Sequence, residues 1–188
     1  MTSVPPSHFE ALYATDPDPW SFETSAYEAG KYAATMAALD RPRFTEAAEI
    51  GCSIGVLTAM LAARCDALIG VDFAADALDR ARARCASLAH VRFARLRVPG
   101  EWPRGAFDLI VLSELLYFLD EPDIHATAAR VLSTLRPRGR VVLVNYLGET
   151  DGPMSGDHAA SCFLGAASLK PIASRRAPLW RLDLLAAD

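Results

Sequence analysis

The sequence predicts an α/β fold built on a mostly parallel, doubly wound sheet. Three observations carry that prediction. Strand-like and helix-like stretches alternate at least four times, the pattern of parallel strands joined by right-handed helical crossovers. The most hydrophobic run, FDLIVLS, shows no polar–apolar alternation, as expected of a strand covered by helices on both faces. The glycine-bearing turn EIGCSIG leads from one strand directly into a helix, and ligands of such sheets sit at the carboxyl ends of the strands. With 188 residues the chain has one domain's length, and a domain of that size buries roughly 70% of its unfolded surface.

Taken in order, Pro5, Pro6, Pro17 and Pro19 bracket a short helical pattern. Ser25 is placed to cap a helix over YEAGKYAATMAAL, which must stop before Pro42. The short apolar run AEIGC reads as a strand stopped by glycine, and IGVLTAMLAARC as a helix whose apolar stripe joins Ile54, Leu57, Met60 and Leu61. ALIGVD, HVRFARL and FDLIVLS are further strands. AADALDRARARCASL is an amphipathic helix after the first of these, and VPGEWPRGA is the loop before the last. A helix then runs from Pro122 to Leu135, followed by the strand LRPRGRVVLVNYL. HAASCFLGAASL gives the last helix, and PIASRR and PLWRLDLL, separated by Ala177, a terminal antiparallel hairpin. Residues 1–44 thus read as a helical lid, 45–147 as a cofactor-binding core, and 148–188 as the helix and hairpin completing a single domain, 1–188.

Hydrophobic residues make up 52% of the chain and charged residues 22%; the net charge is −4, with only Lys31 and Lys170 as lysines among 19 basic residues. A nucleic-acid binder that tracks phosphates needs a basic block, which is missing here. Cys52, Cys65, Cys85 and Cys162 form no C-x-x-C pair and have no histidine at zinc-ligand spacing, which predicts reduced thiols, no metal and no disulfide framework. The opening residues lack a basic start followed by an apolar run, and no stretch of about eighteen apolar residues occurs. A cytoplasmic protein without a membrane partner is therefore expected.

Gly51 and Gly55 flank the turn after Glu49, and Asp72 stands seventeen residues past Gly55 at the end of the next strand. Glycine lets backbone approach a ligand closely, and a carboxylate in Asp72's position can accept from a ribose diol. Each feature alone also fits a packing turn or a helix cap. Together, on consecutive strand ends, they point to a cofactor containing a nucleoside. Ser53 replaces the middle glycine of the dinucleotide fingerprint G-x-G-x-x-G, and Glu49 precedes the loop. A carboxylate repels a pyrophosphate and attracts the ammonium of a methionine moiety, which points to S-adenosylmethionine.

On these residues the sequence resembles the class I S-adenosylmethionine-dependent methyltransferases. EIGCSIG matches their acid-x-Gly-x-x-x-Gly signature, Asp72 their ribose-binding acid, and FDLIVLSELLYFL and LRPRGRVVLV their later strand and turn. DPDPWSFETSAYEAGKYAATMAAL and SELLYFL further resemble the nodulation protein S family, whose characterised members N-methylate an amino sugar of a chitooligosaccharide. The resemblance implies a Rossmann-like, seven-stranded sheet with an N-terminal helical lid. It implies that Glu49, Gly51 and Gly55 hold the methionine side of the cofactor and Asp72 its ribose, with Leu96 and backbone near Arg97 at the adenine. Cys52, Ser53, Phe73 and Ser113 join them as cofactor contacts. The stretch ARLRV departs from the family, since many relatives place an acid or amide near the adenine. Tyr27 and Lys31, four apart on one helical face, would close over the cofactor; alternatively, Tyr27 packs and Lys31 pairs with Glu28 on a solvated surface. Trp20 is expected to pack in the core, with a lid anchor as the alternative.

An amine accepts a methyl group only when uncharged, so a carboxylate or histidine is expected near the reacting nitrogen. Glu114 and Tyr117, at the end of FDLIVLS, and His158, at the start of the last helix, are the catalytic candidates. Their structural alternatives are a cofactor-positioning carboxylate, a packed aromatic and an exposed helix-start histidine. His8, His90 and His125 read as structural or solvated, and Arg175 and Arg176 as a solvated turn. The expected function is methyl transfer from S-adenosylmethionine to a small-molecule acceptor. An amino sugar or oligosaccharide comes first as acceptor, another nitrogen or an oxygen second. An NAD-dependent oxidoreductase and a cofactor-binding module without turnover are the competing classes. Ser53 and Glu49 disfavour the former, and nothing in the sequence excludes the latter.

Overall fold

The computed structural model describes residues 2–188. Pro6 starts helix α1 (Pro6–Thr15), at a position where its missing N–H is no loss. Helix α2 (Ala26–Ala38) begins where the Ser25 side chain accepts from the Glu28 N–H. Strand β1 (Phe44–Ile50), helix α3 (Val56–Ala62), β2 (Cys65–Asp72), α4 (Ala75–Arg84), β3 (Val91–Arg95) and β4 (Phe107–Ser113) follow. After a 3-10 turn at Leu116–Phe118 come α5 (Glu121–Thr134), β5 (Leu135–Tyr146), α6 (Gly156–Ala166), β6 (Lys170–Arg176) and β7 (Trp180–Ala186).

The sequence reading places most of these elements and misplaces some ends. β1 and β2 start earlier than their apolar runs, because their pairing already begins at Phe44 with Cys65 and continues across Glu46. The hairpin turn spans residues 177–179, closed by the Ala177 N–H donating to the Trp180 carbonyl, where Ala177 alone was expected. Arg175 and Arg176 lie in β6 and not in that turn, and Arg176 pairs with Asp157. Met60 is exposed, whereas Ile54, Leu57 and Leu61 of the same expected stripe are buried.

The sheet has seven strands in the order β3-β2-β1-β4-β5-β7-β6. Strands β1 to β5 pair in parallel, and β7 runs antiparallel between β5 and β6. The chain winds outward from β1 to β3 and then returns to β4 on the other side, so the carboxyl ends of β1 and β4 flank a crevice. Leu109 and Val111 of β4 pack in the layer of α2 and α3, while Ile110 and Leu112 pack in the layer of α5 and α6. All four are fully buried, which is why β4 carries no polar alternation.

Gly55 fixes how α3 meets α4. Its φ is +78°, and a Cβ there would lie 2.9 Å from the Ala81 backbone. Gly55→Ala is expected to destabilise the protein by about 2–4 kcal/mol, combining left-handed strain with overpacking. A lowered urea midpoint with an unchanged slope is the expected readout. Among the described residues, no helix is long and apolar enough to cross a membrane. All four cysteines are free; Cys52, Cys65 and Cys85 are buried.

Candidate functional site

The crevice widens into a cavity of about 650 Å³ over the carboxyl ends of β1, β2 and β4, within the size range of small-molecule sites. Gly51, Ser53, Asp72 and Phe73 line one end of it, with Leu96, Arg97 and Ser113. The Asp72 carboxylate accepts the backbone N–H groups of Ser53 and Ala74, each at 2.9 Å. Ser53 holds a left-handed φ of 48° that aims its N–H this way. An ionised carboxylate has about four acceptor positions, so Asp72 keeps acceptor capacity for a ligand. Burial pushes the Asp72 carboxyl up, and the N–H groups of Ala74, Ser53 and Phe73 pull it back. An acid with acceptor capacity to spare, beside a turn with bare glycine at Gly51, fits the diol and nucleoside of S-adenosylmethionine.

Glu49, Cys52 and Gly55 do not reach the cavity wall. Glu49 is 1% exposed and accepts from the Thr58 hydroxyl of α3 at 2.5 Å. These three residues shape the turn from beneath. Burial pushes the Glu49 carboxyl from 4.5 up to about 8, against the opposing Thr58 hydrogen bond. The folded state therefore holds the Glu49 proton over a pH window in which the unfolded state has released it. That contribution is fully present below 4.5 and is lost as pH rises toward 8. Glu49→Gln is expected to flatten this slope and to raise the melting temperature of the ligand-free protein at pH 8 by about 5 °C. Thermal melts of both proteins across the window check it.

The opposite end of the cavity is ionic. Lys31, 2% exposed, sits 2.6 Å from Glu114 Oε1 and 2.9 and 2.8 Å from the two Glu28 oxygens. Glu114 Oε2 accepts from the Tyr117 hydroxyl at 2.6 Å and from the Tyr146 N–H at 2.9 Å. Glu114 holds a φ of 56°, an uncommon backbone state for a residue with a side chain and one that clusters at functional sites. Burial and then the Glu114 charge push the Tyr117 hydroxyl well up, so it serves as a donor. The pairing of Lys31 with Glu28 is thus real, but it is buried instead of solvated. Tyr27 donates to the Leu179 carbonyl at 3.0 Å, tying α2 to the β6–β7 turn.

Aromatic side chains roof the site. Phe9 packs edge-on against Phe73 and Phe118 at 5.4 and 4.8 Å, and Tyr13 packs edge-on against Trp20 at 5.6 Å. The Tyr13 hydroxyl meets that of Ser53. Trp20 is 36% exposed and lines the cavity, so it is not a core residue. His158 lies outside the cavity at the start of α6, where its backbone N–H meets the Ser155 cap and its side chain is exposed to solvent. His8 lines the mouth, 3.5 Å from Asp151. The sequence reading missed Phe9, Tyr13, Glu28 and Tyr146. Phe9 and Tyr13 carried a usable signal, an aromatic pair four residues apart on a helix preceding the glycine turn.

A sheet ordered β3-β2-β1-β4-β5-β7-β6 with an antiparallel last pair is the fold of the class I S-adenosylmethionine-dependent methyltransferases. The profile of the nodulation protein S family matches residues 11–156, and the chain belongs to that family. Nodulation protein S of Bradyrhizobium diazoefficiens is 35% identical over 122 residues, which cover 64% of this chain and 58% of that protein. The Rhizobium tropici protein is 32% identical over 127 residues, 66% of this chain and 53% of its own length. The chain thus spans between half and three-fifths of the curated relatives it matches. A Pseudomonas syringae protein assigned to the methyltransferases superposes with a TM-score of 0.76 at 36% identity, over 86% of this chain and 99% of the other. The N-methyltransferase NodS of Bradyrhizobium japonicum, in complex with S-adenosylhomocysteine, gives a TM-score of 0.84 over 96% and 97% of the two chains. At 21% identity that likeness is one of fold.

Proposed function

We propose that the protein is an S-adenosylmethionine-dependent methyltransferase acting in the cytoplasm on an amino group of a small-molecule acceptor, an amino sugar or oligosaccharide foremost. The observation that carries the reading is one cavity with two chemically distinct ends. Asp72 offers free acceptor capacity at one end, and paired carboxylates stand at the other. The amino-sugar acceptor follows from the family resemblance and from this acidic end, which suits a basic nitrogen.

When bound, the cofactor supplies a methyl group on a positively charged sulfur, open to in-line displacement. No covalent nucleophile is required of the chain, whose task is alignment in a dry, charge-matched site. In this reading Asp72 holds the ribose, and the Gly51–Gly55 turn admits the methionine side. Phe73, Leu96 and Arg97 border the adenine, with Ser113 beside the turn. Phe9, Tyr13 and Trp20 on the lid exclude water. Glu114, fixed by Lys31, Tyr117 and Tyr146, borders the acceptor, and Tyr27 anchors the lid helix to the hairpin. The whole of 1–188 then works as one domain, with lid, core and terminal hairpin sharing the acceptor site.

The test pairs calorimetric titration with a transfer assay. S-adenosylhomocysteine is expected to bind and NAD is not; binding of NAD alone overturns the reading. Labelled methyl groups are expected to pass to a deacetylated chitooligosaccharide in preference to simple amines and hydroxyl controls. Cofactor binding with no transfer to any acceptor favours the non-catalytic module.

A further inference from the structure

Ser25-Ala26-Tyr27-Glu28 is a capping-box sequence, in which the glutamate ordinarily reaches back to the N–H of the capping serine. Here only half of the box forms. The Glu28 N–H meets the Ser25 hydroxyl at 3.4 Å, but the Ser25 N–H donates to the Ser21 carbonyl. The Glu28 carboxylate instead turns into the cavity, 6% exposed, and lines it beside Lys31 and Glu114. A local partner has been passed over for a place in the site.

The two carboxylates there are not equivalent. Glu114 accepts three hydrogen bonds, from Lys31, Tyr117 and the Tyr146 N–H. Glu28 accepts one aligned bond from Lys31 on Oε1, and the Tyr32 hydroxyl also acts on its carboxylate. Its Oε2 is buried and takes no aligned hydrogen bond, although Lys31 Nζ lies 2.8 Å away as an ion pair. Two carboxylates against one ammonium leave one negative charge in excess, which seats a cationic nitrogen. The free lone pair to receive its proton is on Glu28.

We propose that Glu28 is the catalytic base of this site, taking the proton from an acceptor ammonium, while Lys31 and Glu114 act as positioning residues. The inference rests on the methyltransferase reading above. An N–H proton of the acceptor ammonium passes to Glu28 Oε2. The freed nitrogen pair forms the bond to the methyl carbon as the carbon–sulfur pair returns to sulfur. The products are a methylated ammonium, a neutral thioether and a protonated Glu28, with net charge unchanged. Facing Glu28 are Tyr27, Lys31 and Tyr32 of its own helix, Glu114 from the end of β4 and Tyr117 from the 3-10 turn. Burial raises the Glu28 carboxyl above its ordinary value, Lys31 opposes that, and Glu114 adds to it, which brings it toward the range in which a base works.

The experiment compares the full chain with Glu28→Gln and Glu114→Gln, using a deacetylated chitooligosaccharide as acceptor. For the unaltered protein, kcat/KM is expected to be bell-shaped in pH, its acid limb set by Glu28 and its alkaline limb by the amine. Glu28→Gln is expected to lower kcat at neutral pH by roughly 100-fold. The acid limb set by Glu28 should also be replaced by one set by the amine, so that rate climbs with pH to the amine's own pKa and stays level. Affinity for S-adenosylhomocysteine is expected to stay within about threefold of the unaltered protein, which shows that the variant is folded. A rate loss with the bell intact assigns Glu28 a structural role and overturns the proposal. So does disappearance of the acid limb in Glu114→Gln alone. If the unaltered protein binds S-adenosylhomocysteine yet methylates no amine, it is the methyltransferase reading that fails, and the base assignment falls with it.

Discussion

Asp72→Ala is expected to weaken S-adenosylhomocysteine binding by roughly 100-fold, about 3 kcal/mol, measured by calorimetry at neutral pH. The size follows from acceptor arithmetic. Asp72 already holds the Ser53 and Ala74 N–H groups, so a bound diol would use its remaining acceptor capacity. Alanine removes both prospective ligand bonds and also frees the Ser53 N–H, which shapes the turn beside the ligand. Asp72→Asn keeps one carbonyl oxygen and is expected to fall between the two. The helix-cap reading of Asp72 predicts something different, a lower melting temperature with ligand affinity unchanged. That outcome would remove Asp72 from the ligand site.

Much of the fold was legible in the sequence because its signals are local. FDLIVLS declares two-sided burial by composition alone, and Ser25 caps α2 as its position suggests. The strand-end rule likewise finds Gly51, Asp72, Ser113 and Glu114, since each follows or ends a strand and all four line one cavity. What stayed illegible depends on partners distant in sequence or on which face a side chain takes. Glu49 was expected to face the ligand, but two-residue alternation puts it on the Ala47 face of β1, against α3 and Thr58. The placement of Lys31 was uncertain because its first partner lies one helical turn away, while its second, Glu114, lies 83 residues on. Only the folded chain decides whether that pair is solvated or sealed.

Lys31→Met is expected to destabilise the protein at pH 8 by about 3–5 kcal/mol, because it removes one partner from a buried ion cluster. Methionine keeps the length and apolar stem of lysine, so little of the loss comes from packing. What changes is charge: Glu28 and Glu114 are left facing each other in a site only 2% exposed at Lys31. In the variant Glu28, already pushed up by burial, loses the Lys31 charge that opposes that push. The penalty therefore grows as pH rises past the range in which unfolded glutamates ionise and shrinks on return to acid pH. The melting temperature is expected to fall by roughly 10 °C at pH 8 and by much less near pH 4.5. Adding Glu28→Gln to Lys31→Met removes one of the stranded charges and is expected to recover part of the loss, a coupling that independent sites do not produce. If Lys31 served only as a cofactor contact, its replacement would lower S-adenosylhomocysteine affinity and leave the melting curve of the ligand-free protein in place. Melts across pH, with and without ligand, separate those two roles.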